Sequence, residues 1–258
     1  ADAVALASKS DVAVVFVGTT STIESEGHDR KNISLPDGQD ELVSAVAKVA
    51  KRTVVVVNSG SPVEMPWFNE VDSVLLTYFG GQQMGNALAD VVYGAVNPAA
   101  RTTTTWAAKM SDLPVFNTTP TNGELHYSEG RFIGYRAWRK ANRNPLIPFG
   151  HGLSYTTFTS ELLSADKSTA KVKVTNTGKR VGAHVIQIYA QSAAVDSFER
   201  RLVGFTKVSL APGEDTTVDV TLEPLGFKRF KGNWQEDSGQ WNITLAENAF
   251  ATGLSILV

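Results

Sequence analysis

The sequence contains no cysteine among its 258 residues, which excludes disulfide bonds and thiolate metal sites. It also has no apolar run long enough to span a bilayer. The net charge is only −2, so we expect neither a nucleic acid nor a membrane surface as a partner. With 42% hydrophobic and 19% charged residues, the composition is that of an ordinary globular protein.

The first part of the chain alternates predicted strands with predicted helices. Short β-branched runs indicate buried strands, and apolar residues at helical spacing indicate the helices between them. The expected strands are residues 11–18, 53–58 and 73–78, and the expected helices are residues 39–51 and 82–93. Asp37 is expected to cap the first of these helices. This order favours βαβ units and a parallel sheet.

From about residue 159 the pattern changes to short strands separated by turns. Apolar and polar residues alternate strictly over residues 171–175 and 217–222. Further candidate strands are residues 185–189, 202–210 and 241–245. Strands at this spacing over about 100 residues are typical of an antiparallel β-sandwich. The predicted fold class is therefore an α/β domain followed by an all-β domain.

These patterns predict an α/β domain over residues 1–118 and a β-sandwich over residues 159–258. Residues 119–158 lie between them and are rich in proline. They also contain Phe132, Tyr135, Trp138 and Phe149, too many aromatic residues for a free linker. We expect this segment to be a strap between the domains.

A charged loop follows the first predicted strand and contains Glu24, Glu26, Asp29 and Arg30. In open α/β sheets, ligands bind beyond the carboxyl ends of the strands, where such loops lie. Gly27 lets the backbone turn sharply beside Glu26. The loop is therefore a candidate for proton chemistry by a carboxyl group. A solvated loop that only connects two elements is the alternative.

Four segments in order resemble motifs of family-3 glycoside hydrolases of the β-glucosidase type. They are residues 23–30 (IESEGHDR), 89–98 (ADVVYGAVNP), 130–136 (GRFIGYR) and 148–158 (PFGHGLSYTTF). The resemblance extends through the last hundred residues, where many members carry a fibronectin type III-like module. It implies the end of an α/β sandwich domain, N-terminally incomplete, followed by that module.

The resemblance implies a retaining, exo-acting β-glucosidase with Glu26 as general acid/base and Glu24 as the second choice. It also implies that Glu24, His28 and Arg30 contact the sugar. Two of these residues have other interpretations. His28 stands where the family usually has tyrosine or phenylalanine and is expected to pack within the loop, and Arg30 is expected to pair with Asp29.

Half of such an active site is outside this sequence. A retaining glycosidase needs a second carboxylate as nucleophile. The family places that aspartate on a (β/α)₈ barrel, a fold of about 250 residues. We expect the chain to be the C-terminal piece of a nicked, two-chain or truncated enzyme, stable only beside an N-terminal barrel and inactive alone. Its sheet would then begin partway and expose an apolar edge.

No cofactor and no metal are expected. His126 and His151 have no ligand partners at metal-binding spacing, and Gly80-Gly81 lacks a nucleotide-binding fingerprint. Three tryptophans are expected to pack internally, although an indole also suits a sugar ring: Trp67, Trp106 and Trp138. The expected substrate is a β-glucoside or oligosaccharide. The same part of a β-xylosidase, or a non-catalytic carbohydrate-binding or assembly module, are the alternatives.

Overall fold

The computed structural model of the chain describes residues 1–27, 30–114, 119–193 and 199–258. These residues form two compact units. The first consists of residues 1–88 and 106–113, and the second of residues 89–105 and the described residues from 114 onward. The domain boundaries expected after residues 118 and 158 stay a prediction.

The first unit is built on a three-stranded parallel sheet. Its elements in chain order are α1 (Asp2–Ala7), β1 (Ala13–Gly18), α2 (Gln39–Ala47), β2 (Thr53–Asn58) and β3 (Ser73–Leu76), and a 3-10 turn spans Met110–Asp112. Helix α3 (Met84–Val92) contains the division between the two units. The strand order is β1-β2-β3, and both pairs are parallel, which confirms the predicted parallel sheet.

Valines form the buried layer between this sheet and α2. Val15 and Val17 of β1 and Val55 of β2 are buried, and α2 contributes Val43 and Val46. Burying one such side chain stabilises the fold by about 1.5 kcal/mol or more. The opposite side of β1, the edge strand, is open.

Val14 and Phe16 of β1 are exposed on that open side. Separately from this exposed face, the outer edge of β1 carries backbone groups through which a strand of another chain can pair.

The start of α2 differs from the prediction that Asp37 caps it. The helix begins at Gln39, and the capping position is Gly38, without a side-chain hydrogen bond. Asp37 and Gly38 both have positive φ values, 58° and 71°, so the backbone turns before the helix starts. Gln39 instead reaches back to β1: its Oε1 accepts from the Gly18 N–H at 2.7 Å, and its Nε2 donates to the Gly18 carbonyl at 3.1 Å.

The second unit is an antiparallel β-sandwich with one short helix. Its elements are α4 (Gly134–Lys140), β4 (Phe158–Ala165), β5 (Thr169–Asn176), β6 (Gly182–Ser192), β7 (Arg200–Leu210), β8 (Asp215–Thr221), a 3-10 turn (Pro224–Phe227), β9 (Lys228–Phe230), β10 (Trp234–Glu236), β11 (Trp241–Leu245) and β12 (Leu254–Leu257). One sheet has the order β12-β11-β6-β7 and the other β4-β5-β8. All their pairs are antiparallel, which confirms the predicted sandwich.

The sandwich core lies between these two sheets. Val172 and Val174 of β5 are fully buried and belong to the same apolar cluster as Ile186 and Ile188 of β6 and Ile243 of β11. Alternate residues of β5 point into this cluster, as its alternating sequence predicts.

Residues 119–158 pack on the sandwich within the second unit. The ring of Tyr135 stacks on Phe149 with centroids 4.8 Å apart, and its hydroxyl accepts from the Leu202 N–H at 2.9 Å. Arg139 donates to the carbonyl of Ala249 at 3.2 Å. The aromatic residues of this segment therefore contribute to a folded interior.

Strands β9 and β10 form a separate two-stranded hairpin. Phe230 and Trp234 are cross-strand neighbours on it, with ring centroids 5.7 Å apart, and they are 65% and 55% exposed. The other four tryptophans are buried: Trp67, Trp106, Trp138 and Trp241. For the first three of these, internal packing was the predicted role.

None of the helices in the described ranges combines the length and the apolar character needed to cross a bilayer.

Candidate active site

The candidate site lies at the carboxyl edge of the parallel sheet, where the loops after β1 and β2 meet. Gly18 ends β1 so close to Asn58 that an added Cβ would lie 2.2 Å from the Asn58 carbonyl oxygen. The Thr19 N–H donates to the same carbonyl at 3.1 Å. Glycine at position 18 therefore allows the two strands to leave the sheet side by side.

Glu24 connects these two loops. The Gly60 N–H donates to Glu24 Oε2 at 2.9 Å, and the Thr19 hydroxyl donates to the same oxygen. The Ser61 hydroxyl donates to the other oxygen, Oε1, and Arg30 Nη1 lies 3.8 Å from it. The side chain is only 12% exposed. Both oxygens of this carboxylate are thus occupied by donors from the protein itself.

These donors keep Glu24 ionised. Burial by itself would raise the pKa of the Glu24 carboxyl, but the hydrogen bonds from Ser61, Thr19 and Gly60 and the charge of Arg30 together lower that pKa below its ordinary value. Glu24 is therefore an anion at neutral pH and has no proton to give.

Arg30 is fastened to the same segment after β2. Its Nη2 donates to the Pro62 carbonyl at 3.2 Å, and its guanidinium faces Glu24. Its predicted partner Asp29 lies outside the described residues, as does His28. Residues 24 and 30 therefore both hold the loop against residues 60–62.

Glu26 lies on a turn between these two anchors, and its side chain is exposed. Within the described part of the chain, no hydrogen bond or ion pair occupies its carboxylate. Gly27, which follows, has a φ of 96°, a value that a residue with a side chain rarely adopts. The turn thus presents the Glu26 carboxyl to the surroundings, where a ligand can reach it.

The segment that receives the loop is well anchored. Ser59, Val63 and Met65 are buried, and the indole N–H of Trp67 donates to Asp40 at 2.7 Å. Burial raises the pKa of that aspartate, although the hydrogen bond from Trp67 opposes the shift. Because these contacts hold residues 59–67 firmly, we call this segment the platform.

Sequence reasoning missed three partners of Glu24: Thr19, Gly60 and Ser61. The signal that points to them is their position: Thr19 follows β1 directly, and Gly60 and Ser61 are the second and third residues after β2, so all three lie at the carboxyl ends of strands of the predicted sheet.

Across the described ranges, no three histidine, aspartate or glutamate side chains lie close enough together to hold a metal ion. His126 lies 3.5 Å from Glu124 in a pair that is open to solvent.

Two families match the chain. Residues 1–155 match the family described as Glycosyl hydrolase family 3 C-terminal domain, and residues 184–253 match the Fibronectin type III-like domain.

Similar proteins of known name are β-glucosidases. Thermostable beta-glucosidase B of Acetivibrio thermocellus is 42% identical over 257 residues, which cover 94% of this chain and 34% of that protein. Beta-glucosidase of Kluyveromyces marxianus is 40% identical over 262 residues, which cover 98% of this chain and 31% of that protein. The chain thus spans about a third of the length of the curated relatives it matches.

Solved structures agree over the whole chain. DesR, a β-glucosidase from Streptomyces venezuelae in complex with D-glucose, superposes with a TM-score of 0.92 at 36% identity and covers 100% of this chain and 34% of its own. The K. marxianus β-glucosidase in complex with glucose gives a TM-score of 0.92 at 36% identity and covers 100% of this chain and 33% of its own.

Proposed function

Because the chain belongs to glycosyl hydrolase family 3, we propose that it supplies the general acid/base of a retaining, exo-acting β-glucosidase, and that Glu26 is this residue. The chain corresponds to the C-terminal domains of the family's β-glucosidases. The remaining two-thirds of such an enzyme would supply the nucleophile and most contacts to the terminal sugar. The substrate is a terminal β-D-glucosidic bond, which the names of the relatives support.

Glu26 acts twice in this mechanism. A carboxylate from the N-terminal region attacks the anomeric carbon, and the protonated Glu26 gives its proton to the glycosidic oxygen as the bond to that oxygen breaks. The ionised Glu26 then takes a proton from a water molecule, which attacks the same carbon and releases the sugar from the nucleophile. The two carboxyl groups must lie about 5–5.5 Å apart.

The contrast between Glu24 and Glu26 carries this assignment. Glu24 accepts from three donors, and its lowered pKa keeps it ionised at neutral pH, so it holds no proton to give. Glu26 is exposed on a turn and is free of hydrogen bonds within the described residues. A general acid/base needs a carboxyl that can reach the substrate, and between these two glutamates Glu26 meets this requirement.

Support for a contact with the sugar differs between His28 and Arg30. Arg30 uses one nitrogen on the Pro62 carbonyl and directs another at Glu24, which supports a role within the protein. His28 stays a predicted sugar contact.

The test uses the complete enzyme, meaning this chain joined to its N-terminal region. Glu26→Gln should lower kcat for a β-linked disaccharide by about 10²- to 10⁴-fold, the usual range for a general acid. An aryl glucoside with a good leaving group needs less proton transfer, so its bond-cleavage step should lose much less. Glu70→Gln is the matched control, since this exposed glutamate is in the same unit and its described hydrogen bond is made by the backbone N–H.

A second variant identifies the role directly. In Glu26→Ala, azide should attack the anomeric carbon of the glycosyl-enzyme and displace the nucleophile's carboxylate, giving a glycosyl azide without help from a base. Full turnover of the disaccharide by Glu26→Gln would refute the assignment.

A further inference from the structure

We propose that Glu24 and Arg30 are positioning residues, which clamp the loop after β1, described over residues 19–27 and at residue 30, onto the platform and thereby fix the place of the Glu26 carboxyl. The inference rests on the proposed role of Glu26. It assigns to Glu24 neither proton transfer nor contact with the sugar.

The two residues flank Glu26, Glu24 two positions before it and Arg30 four positions after it. Their contacts cross 36 residues to Gly60, 37 to Ser61 and 32 to Pro62. Every one of these contacts therefore joins the loop to the same short segment.

The platform is suited to hold a reactive group still. It continues β2, and its side chains at Ser59, Val63 and Trp67 are buried. Glu64 anchors the platform further, because its Oε1 accepts from the Met110 N–H at 2.5 Å. A catalytic carboxyl held through such a segment loses little freedom on substrate binding, whereas one on an unanchored loop must be ordered each time.

The negative charge of the Glu24 carboxylate strengthens the hydrogen bonds that hold the loop. Hydrogen bonds to an ionised group are about twice as strong as those between neutral groups. Its two oxygens accept from one hydroxyl each, and one also accepts from the Gly60 N–H. A substrate hydroxyl that bound Glu24 would have to displace one of these donors.

The test compares Glu24→Ala, Glu24→Gln and Ser61→Ala in the complete enzyme, with Glu70→Gln as control. A displacement of about 1 Å costs on the order of 100-fold in rate, so Glu24→Ala should lower kcat for the disaccharide by about 10- to 100-fold with a smaller change in KM. Glu24→Gln keeps an oxygen that can accept from Gly60 and should retain more activity. Ser61→Ala removes one donor and should cost about 3- to 10-fold.

Two further measurements separate positioning from proton transfer and from general destabilisation. The basic limb of the kcat/KM pH profile reports the general acid, so it should persist in Glu24→Ala and be lost in Glu26→Gln. Azide should yield glycosyl azide with Glu26→Ala and not with Glu24→Ala. A purely structural defect would lower kcat/KM, which covers the steps up to bond cleavage, equally for the disaccharide and the aryl glucoside. A displaced general acid would lower kcat/KM more for the disaccharide, because its leaving group needs the proton.

The outcomes distinguish a failure of the clamp from a failure of the proposed acid/base role of Glu26. Unchanged kcat in Glu24→Ala, or an equal loss of kcat/KM on both substrates, overturns the clamp and leaves Glu26 as the acid/base. Azide rescue of Glu24→Ala instead of Glu26→Ala overturns both, because Glu24 would be the acid/base. If Glu24→Ala does not fold, Ser61→Ala decides, and unchanged kcat in that variant overturns the clamp.

Discussion

The buried carboxylate of Glu199 should be a main determinant of the stability of the β-sandwich. Its side chain is only 3% exposed. Arg131, Arg201 and Arg229 approach its oxygens at 2.9, 2.7 and 2.8 Å, and Arg136 lies 4.0 Å away. Replacing it with glutamine would leave these guanidinium groups close together without their shared anion.

The size of the effect follows from this geometry. Removing one partner of a buried ion pair costs about 3–5 kcal/mol. Arg131 is partly exposed, and Asp237 still faces Arg229 at 2.5 Å, so we expect the lower end, about 3 kcal/mol of unfolding free energy, for Glu199→Gln. At about 2–4 °C per kcal/mol for a domain of this size, Tm should fall by about 6–12 °C.

Urea denaturation of the complete enzyme, followed by tryptophan fluorescence, with calorimetry for Tm, would measure this change. The matched control is Asp219→Asn, which removes the same charge from an exposed pair with Lys171 at 3.8 Å and should change stability by less than about 0.5 kcal/mol. If Glu199→Gln were no more destabilised than this control, at an unchanged denaturant slope, the cluster would behave as a solvated surface network and Glu199 would not be a main determinant of stability.

Two further predictions concern pH and loop packing. Burial lowers the pKa of His184, so the unfolded chain binds a proton at this histidine at higher pH than the folded chain does. The contribution of His184 to the unfolding free energy should therefore be fully present above about pH 6.5 and be lost below it. His184→Gln should flatten the slope of unfolding free energy between about pH 7 and 5. An identical slope in that variant would contradict this. A Cβ at residue 60 would lie 2.6 Å from the Phe79 ring, so Gly60→Ala should cost about 1–3 kcal/mol in urea denaturation, whereas Gly81→Ala, with open space around it, should cost much less. Equal losses would show that the Phe79 ring moves aside freely.

The local sequence pattern predicted the bounds of two strands correctly, because each of them keeps a single burial pattern along its length. Residues 53–58 and 241–245 were predicted at the bounds that the structure has for β2 and β11. The first is a continuous β-branched run in the middle of a parallel sheet, and the second alternates between core and surface. Neither needs information from distant residues.

Strand β4 escaped prediction because its alternation is broken. The register of its pairing with β5 shifts between Leu162 and Ser164, so that two adjacent leucines, 162 and 163, interrupt the pattern. The prediction that Asp37 caps α2 was wrong because the two residues before the helix both adopt positive φ. Nothing in the local composition requires this conformation.

The candidate site was predictable in place but not in detail. Its position follows from the rule that ligands bind beyond the carboxyl ends of parallel strands, and Glu26 followed from the family resemblance. The roles of Gly60 and Ser61 did not follow, because their hydrogen bonds to Glu24 join segments 36 and 37 residues apart. Short polar residues after a strand are common, so only the folded chain distinguishes these two.

The exposed tryptophan of the β9–β10 hairpin gives the protein an optical reporter. Since the other four tryptophans are buried, a soluble quencher such as acrylamide should reach Trp234 first. The quenched part of the emission then measures how open the hairpin is, and a Trp234→Phe variant supplies the baseline. Any partner or further domain that covers Phe230 and Trp234 would slow this quenching, so contact with the hairpin can be followed in solution without a label.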